Sequence, residues 1–187
     1  MNFFKKISVF AMLLVMSILF FNPAKAEAAT IGQQLTQPES GWTRYDDTDT
    51  RIKYNGTWVK DPSSVSYLGG YTYTATPGSS LEFKFVGSKI RIMAFVRDLH
   101  RPSIVNITID GVEENFTEIS KTSGWTEQVL CYEKSNLMVG VHTVKITSSQ
   151  IAGNCALTFD SIDINDTGYL LSSDLISPTN IIAIPGD

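Results

Sequence analysis

The sequence predicts an all-β domain built from two antiparallel sheets packed face to face. Three observations lead there. Apolar residues recur with a period of two. Leu81, Phe83 and Phe85 alternate with Glu82 and Lys84, and Val105, Ile107 and Ile109 with Asn106, Thr108 and Asp110. His142, Val144 and Ile146 alternate with Thr143 and Lys145. That period puts one side of a strand in a core and the other in solvent. The same runs are rich in threonine, tyrosine, valine and isoleucine, which suit strands. Beyond the N-terminal leader, no stretch of ten residues carries an apolar stripe at helical spacing, as an amphipathic helix would.

The candidate strands, in order, are 51–54, 71–75, 81–86, 89–96, 103–110, 112–117, 127–133, 141–147 and 156–164. Their spacing suits a sandwich of about eight strands. Turn signals separate them: "LGG" at 68–70, "TPGSS" at 76–80, "VGS" at 86–88 and "DG" at 110–111. Asp110-Gly111 predicts a hairpin, because both residues tolerate the positive φ of a type I′ turn. Phe83, Phe85, Ile92, Ile107, Ile109, Val144, Ile146, Leu157 and Phe159 are the expected core.

The ends differ from the middle. Residues 1–28 read as a secretory signal peptide: Lys5 and Lys6, an apolar run from Ile7 to Phe21, then small residues around Ala24, Ala26 and Ala28. The run is shorter than the roughly 20 residues of a bilayer span. Cleavage after Ala28 removes three of 15 basic and one of 19 acidic residues, leaving 12 and 18. That acidic balance argues against nucleic acid as a partner. It also predicts a secreted or cell-surface protein with no membrane span after cleavage. Residues 29–168 form the expected sandwich domain. Residues 169–187 read as a linker, and "SPTNIIAIPGD" resembles the opening of a fibronectin type III module. Further modules are expected to follow.

The order of motifs resembles a galactose-binding-domain-like jelly roll. The motifs are "DDTDTRIKYNGTW", "YTYTATPGSSLEFKFVGSKIRI", "VNITIDG", "QVLCYEKSNLMVGVHTVKI" and "FDSIDI". The resemblance covers roughly residues 35–166 and implies an antiparallel two-sheet jelly-roll sandwich. Members of this group bind sugars, cell walls or proteins, or act as spacers.

The chain carries no G-x-S-x-G, H-E-x-x-H or P-loop motif. Asp46, Asp47 and Asp49 crowd one turn, where carboxylates cannot straddle a sugar as glycosidase acids do. They either shape the turn through side chain–backbone hydrogen bonds or help hold a structural calcium. The resemblance implies that Asp160 or Asp163 would complete such a shell. No cofactor is otherwise required. Cys131 and Cys155 are either two buried thiols or a cross-strand bridge. The candidate ligand surface is the loop "VRDLHRPS", with Arg97, Asp98, His100 and Arg101, joined by Trp58, Tyr67 and Trp125. Planar polar groups meet sugar hydroxyls while aromatic faces stack on the ring; a solvated charged turn is the competing reading. The expectation is a binding module for carbohydrate or cell-wall glycan, without enzyme activity. The alternatives are a structural or adhesion spacer, or an accessory domain of a hydrolase whose catalytic module lies beyond residue 187.

Overall fold

The computed structural model describes residues 28–98, 104–149 and 156–172. The signal peptide up to residue 27, His100, Arg101, Cys155 and the fibronectin-like tail lie outside them. The described chain is all-β. Its strands are β1 (Trp42–Asp46), β2 (Lys53–Asn55), β3 (Val59–Pro62), β4 (Gly70–Thr74), β5 (Ser80–Gly87) and β6 (Ile90–Arg97). There follow β7 (Val105–Ile109), β8 (Val112–Phe116), β9 (Trp125–Lys134), β10 (Gly140–Thr147), β11 (Leu157–Phe159), β12 (Ser161–Asn165) and β13 (Tyr169–Leu171). One 3-10 turn, Tyr67–Gly69, precedes β4. Among the described residues no helix is long and apolar enough to cross a membrane.

Three antiparallel sheets form, one more than the sequence predicts. A four-stranded sheet runs β1-β12-β6-β9, and a larger one runs β13-β5-β10-β7-β8 with β2 also on β5. A small sheet, β11-β4-β3, makes the third. The run 156–164, expected as one strand, breaks at Asp160: β11 pairs with β4, while β12 enters the four-stranded sheet between β1 and β6. β13 then pairs with β5, beyond Gly168, where the linker was expected to begin. Three short consecutive strands therefore enter three different sheets.

The core lies between the two larger sheets. Phe83, Phe85, Ile107, Ile109, Val144 and Ile146 face Ile90, Ile92, Ile162 and Ile164, and all are buried. Leu157 and Phe159 complete this core, so the full set expected from alternation is inside. The hairpin at Asp110-Gly111 joins β7 to β8, with φ of 51° and 83°. A second, smaller core forms on the far side of the four-stranded sheet. There the N-terminal segment crosses β9: Gly32 and Leu35 N–H groups donate to the Leu130 and Gln128 carbonyls at 2.8 Å. Leu35 thereby covers Met93 and Leu130.

Phe85 is fully buried at the centre of β5. Phe85→Ala should destabilise the domain by about 3–5 kcal/mol, measured by denaturant unfolding with an unchanged m-value.

Candidate functional site

The acidic turn follows β1 directly. Its three aspartates are held in three different ways. Asp46 Oδ2 accepts hydrogen bonds from the N–H (3.1 Å) and hydroxyl of Thr48. Asp49 takes a forked ion pair from Arg51, at 2.8 and 2.6 Å, which holds its carboxyl below the usual range. Asp47 is buried and accepts from the Thr72 hydroxyl. Its N–H donates to the carbonyl of Asp160 at 3.0 Å.

Asp160 sits at the break between β11 and β12 and is fully buried. Its Oδ1 accepts from the Tyr67 N–H at 3.0 Å, but among the described residues its Oδ2 has no partner, and neither has Asp46 Oδ1. Burial pushes the Asp160 carboxyl up to about 8 and the Asp47 carboxyl up to about 6, and neighbouring acids add to both shifts. Among the described residues no three acidic, histidine or cysteine side chains are gathered to hold a metal ion. A cation here would need backbone or water oxygens beside the carboxylates.

The second feature is a row of aromatic rings. Tyr73, Tyr71, Phe95 and Trp125 follow one another with centroid spacings of 6.2, 5.3 and 5.6 Å. They come from three strands: β4, β6 and β9. Tyr71 and Tyr73 share one side of β4 because side chains alternate, while Thr72 and Thr74 between and beyond them are buried. Phe95 is buried within the row, and Trp125 is 56% exposed at its end. Arg97 pairs with Trp125 across the β6–β9 ladder. The Asp98 carboxylate accepts from the Gly124 N–H, and the Asp98 N–H donates to the Gly124 carbonyl, both at 3.0 Å. This double tie sets the loop that delivers Trp125.

Arg97, Asp98 and Trp125 therefore converge. Trp58 and Tyr67 are placed elsewhere. The Trp58 ring meets Tyr54 at 5.0 Å and its N–H donates to the Asn55 carbonyl. Tyr67 lies over the Arg44 guanidinium at 5.5 Å. Tyr71, Tyr73 and Phe95 were missed as site residues, although the "YTY" spacing at 71–73 signals two rings on one side of a strand. Cys131 is buried in β9, and burial pushes its thiol well up. His142 is structural: its ring meets Asp110 at 2.6 Å and the Met138 carbonyl at 2.8 Å.

No family model matches the sequence. Two curated proteins of Flavonifractor plautii do. An A type blood N-acetyl-alpha-D-galactosamine deacetylase is 30% identical over 110 residues, 59% of this chain and 14% of its own length. An A type blood alpha-D-galactosamine galactosaminidase is 29% identical over 113 residues, 60% of this chain and 10% of its own. Among solved structures, a Paenibacillus sp. cycloisomaltooligosaccharide glucanotransferase complexed with cycloisomaltoheptaose matches with a TM-score of 0.50 and 16% identity. That match covers 73% of this chain and 19% of the other, a likeness of fold alone. The expectation of a binding module without enzyme activity is thus corrected: the sequence relatives are named as a deacetylase and a galactosaminidase, and this chain spans a small part of each.

The buried acids give a pH dependence. The unfolded chain ionises aspartate near 4, whereas folding raises the values of Asp47 and Asp160 to about 6 and 8. Their contribution to stability is fully present below about pH 4 and is lost as pH rises through 6 and 8. His142 acts in the same direction. Burial opposes its charge, but the bond to Asp110, the Met138 carbonyl and the Asp110 charge together outweigh this and raise its value. In chelator, Asp160→Asn should stabilise the domain at pH 8 by about 1 kcal/mol or more and flatten the melting temperature between pH 5 and 8. Parallel wild-type and variant curves would remove Asp160 as the cause.

Proposed function

We propose that this domain is a glycan-binding accessory domain of an exported carbohydrate-processing enzyme, holding substrate for a catalytic module elsewhere in the same protein. The observation that carries the reading is the aromatic row ending at exposed Trp125, with Arg97 and Asp98 at its side. Aromatic rings offer flat apolar faces, and a guanidinium and a carboxylate supply the donors and acceptors that hydroxyls need. The relatives support carbohydrate as the ligand class. Both are named for activity on galactosamine-containing substrates, so glycans ending in galactosamine or N-acetylgalactosamine head the candidates. A jelly-roll topology of the galactose-binding-like kind fits the reading.

A second proposal concerns the acidic turn: calcium binds there and steadies the fold without entering any chemistry. Its support is the pair of buried oxygens without partners, Asp46 Oδ1 and Asp160 Oδ2. A divalent cation would offset the burial and the mutual repulsion that raise the Asp47 and Asp160 carboxyls.

Calorimetric titration with a panel of neutral and amino-sugar glycans tests the first proposal. An open row buries little of its ligand, so a dissociation constant on the order of 0.1–1 mM is expected. Trp125→Ala and Tyr71→Ala should each weaken binding by about tenfold, or roughly 1.4 kcal/mol. Binding that survives both substitutions would move the site, and no binding to any glycan would favour a spacer. For calcium, melting in excess ion should lie above melting in chelator. Coincident curves would leave only the hydrogen bonds of the turn.

A further inference from the structure

The outward side of the six-stranded sheet carries a trough of about 500 Å³ that shares no residue with the aromatic row. Four cations line it: Arg51, Lys53, Lys84 and Lys145. Among the described residues Glu82 is the one acid in its lining. The ladder registers explain the grouping. Lys53 on β2 and Lys145 on β10 both pair with Glu82 on β5, and Lys145 pairs in turn with Thr108 on β7. In the next row, Lys84 on β5 stands between Leu171 on β13 and Thr143 on β10. Side chains at these positions share one side of the sheet.

The charges are unevenly compensated. Lys145 reaches Glu82 at 2.8 Å, and Arg51 is engaged by Asp49 at 2.6 Å. The Lys53 ammonium donates to the Thr50 carbonyl at 3.2 Å. Neither Lys53 nor Lys84 meets a carboxylate among the described residues. The chain as a whole carries a net charge of −4, so a positive trough runs against its composition. Glu113, opposite Thr108 on β8, borders the far side and leaves the positive charge concentrated over β2, β5 and β10.

We propose that this trough binds a negatively charged polysaccharide, one bearing carboxylate or sulfate groups along an extended chain. Ammonium groups on flexible stems suit anions at variable spacing. Thr108 offers a hydroxyl to sugar hydroxyls, the Thr143 hydroxyl donates to Asp110 at 3.3 Å at the border of the trough, and Leu171 supplies an apolar edge. An open trough crossing the strands of one sheet fits a polymer better than a small ion. The site is open to water, so its attraction is screened by salt.

The full chain is applied to immobilised polygalacturonate, chondroitin sulfate and neutral dextran, at low and high salt. Vesicles of phosphatidylglycerol serve as a non-glycan anionic surface. Binding to one or both charged polymers, absent on dextran and weakened by salt, is expected; the two polymers separate carboxylate from sulfate recognition. The double variant Lys53→Gln, Lys84→Gln should weaken it by about tenfold or more. Glu82→Gln removes this acid from the lining and frees Lys145. It should strengthen binding severalfold, a gain that misfolding cannot imitate. Trp125→Ala should leave this binding unchanged, which separates it from the aromatic row. The proposal is overturned by equal retention on dextran, by binding to vesicles alone, by no binding to either charged polymer, or by affinity indifferent to the lysine pair and Glu82.

Discussion

One buried ion pair sets the frame for both the acidic turn and the N-terminal strap. Arg44 on β1 forks onto Asp163 on β12, Nε to Oδ1 at 2.6 Å and Nη2 to Oδ2 at 2.9 Å. Its third nitrogen donates to the Leu35 carbonyl at 2.6 Å. Both side chains are almost wholly out of water. Such a pair adds little net stability, because desolvation offsets attraction, but losing one partner strands a buried charge and costs about 3–5 kcal/mol. Its structural effect is register. With Arg44 opposite Asp163, Asp46 must fall opposite Ser161, and the next residue meets Asp160. The same guanidinium fastens the segment whose Leu35 covers Met93 and Leu130.

The acidic turn and the aromatic row meet in the small β11-β4-β3 sheet. Thr72 on β4 turns inward to hold Asp47, while Tyr71 and Tyr73 on either side turn outward into the row. β4 thus lies between a polar, titratable interior and the row of aromatic rings.

Where the physics is local, the sequence could be read. β5, β7 and β10 each bury one side, so their period of two is visible. β1 was missed because its inward residue is Arg44, which any hydropathy reading scores as exposed; only its partner, 119 residues away, makes burial possible. The break at Asp160 was invisible because β11 and β12 are both inward-facing and continuous in sequence. Of the site, Trp125, Arg97 and Asp98 were legible from loop composition. Tyr71 and Tyr73 read locally only as strand formers, since nothing in the sequence nearby shows that Phe95 bridges them to Trp125. The absence of catalytic motifs misled for a different reason. The matched stretch is 14% of one relative and 10% of the other, so it samples little of an enzyme's chemistry.

The three consecutive strands β11, β12 and β13 have a consequence for biogenesis. Residues 157–171 supply a member to each of the three sheets. A ribosome that has released everything up to Asn154 has therefore made a chain in which no sheet is whole. β1 waits for β12, a partner more than a hundred residues downstream, and such late, long-range closure is slow. The domain would stay open until residues 157–171 emerge, and only then can all three sheets close together.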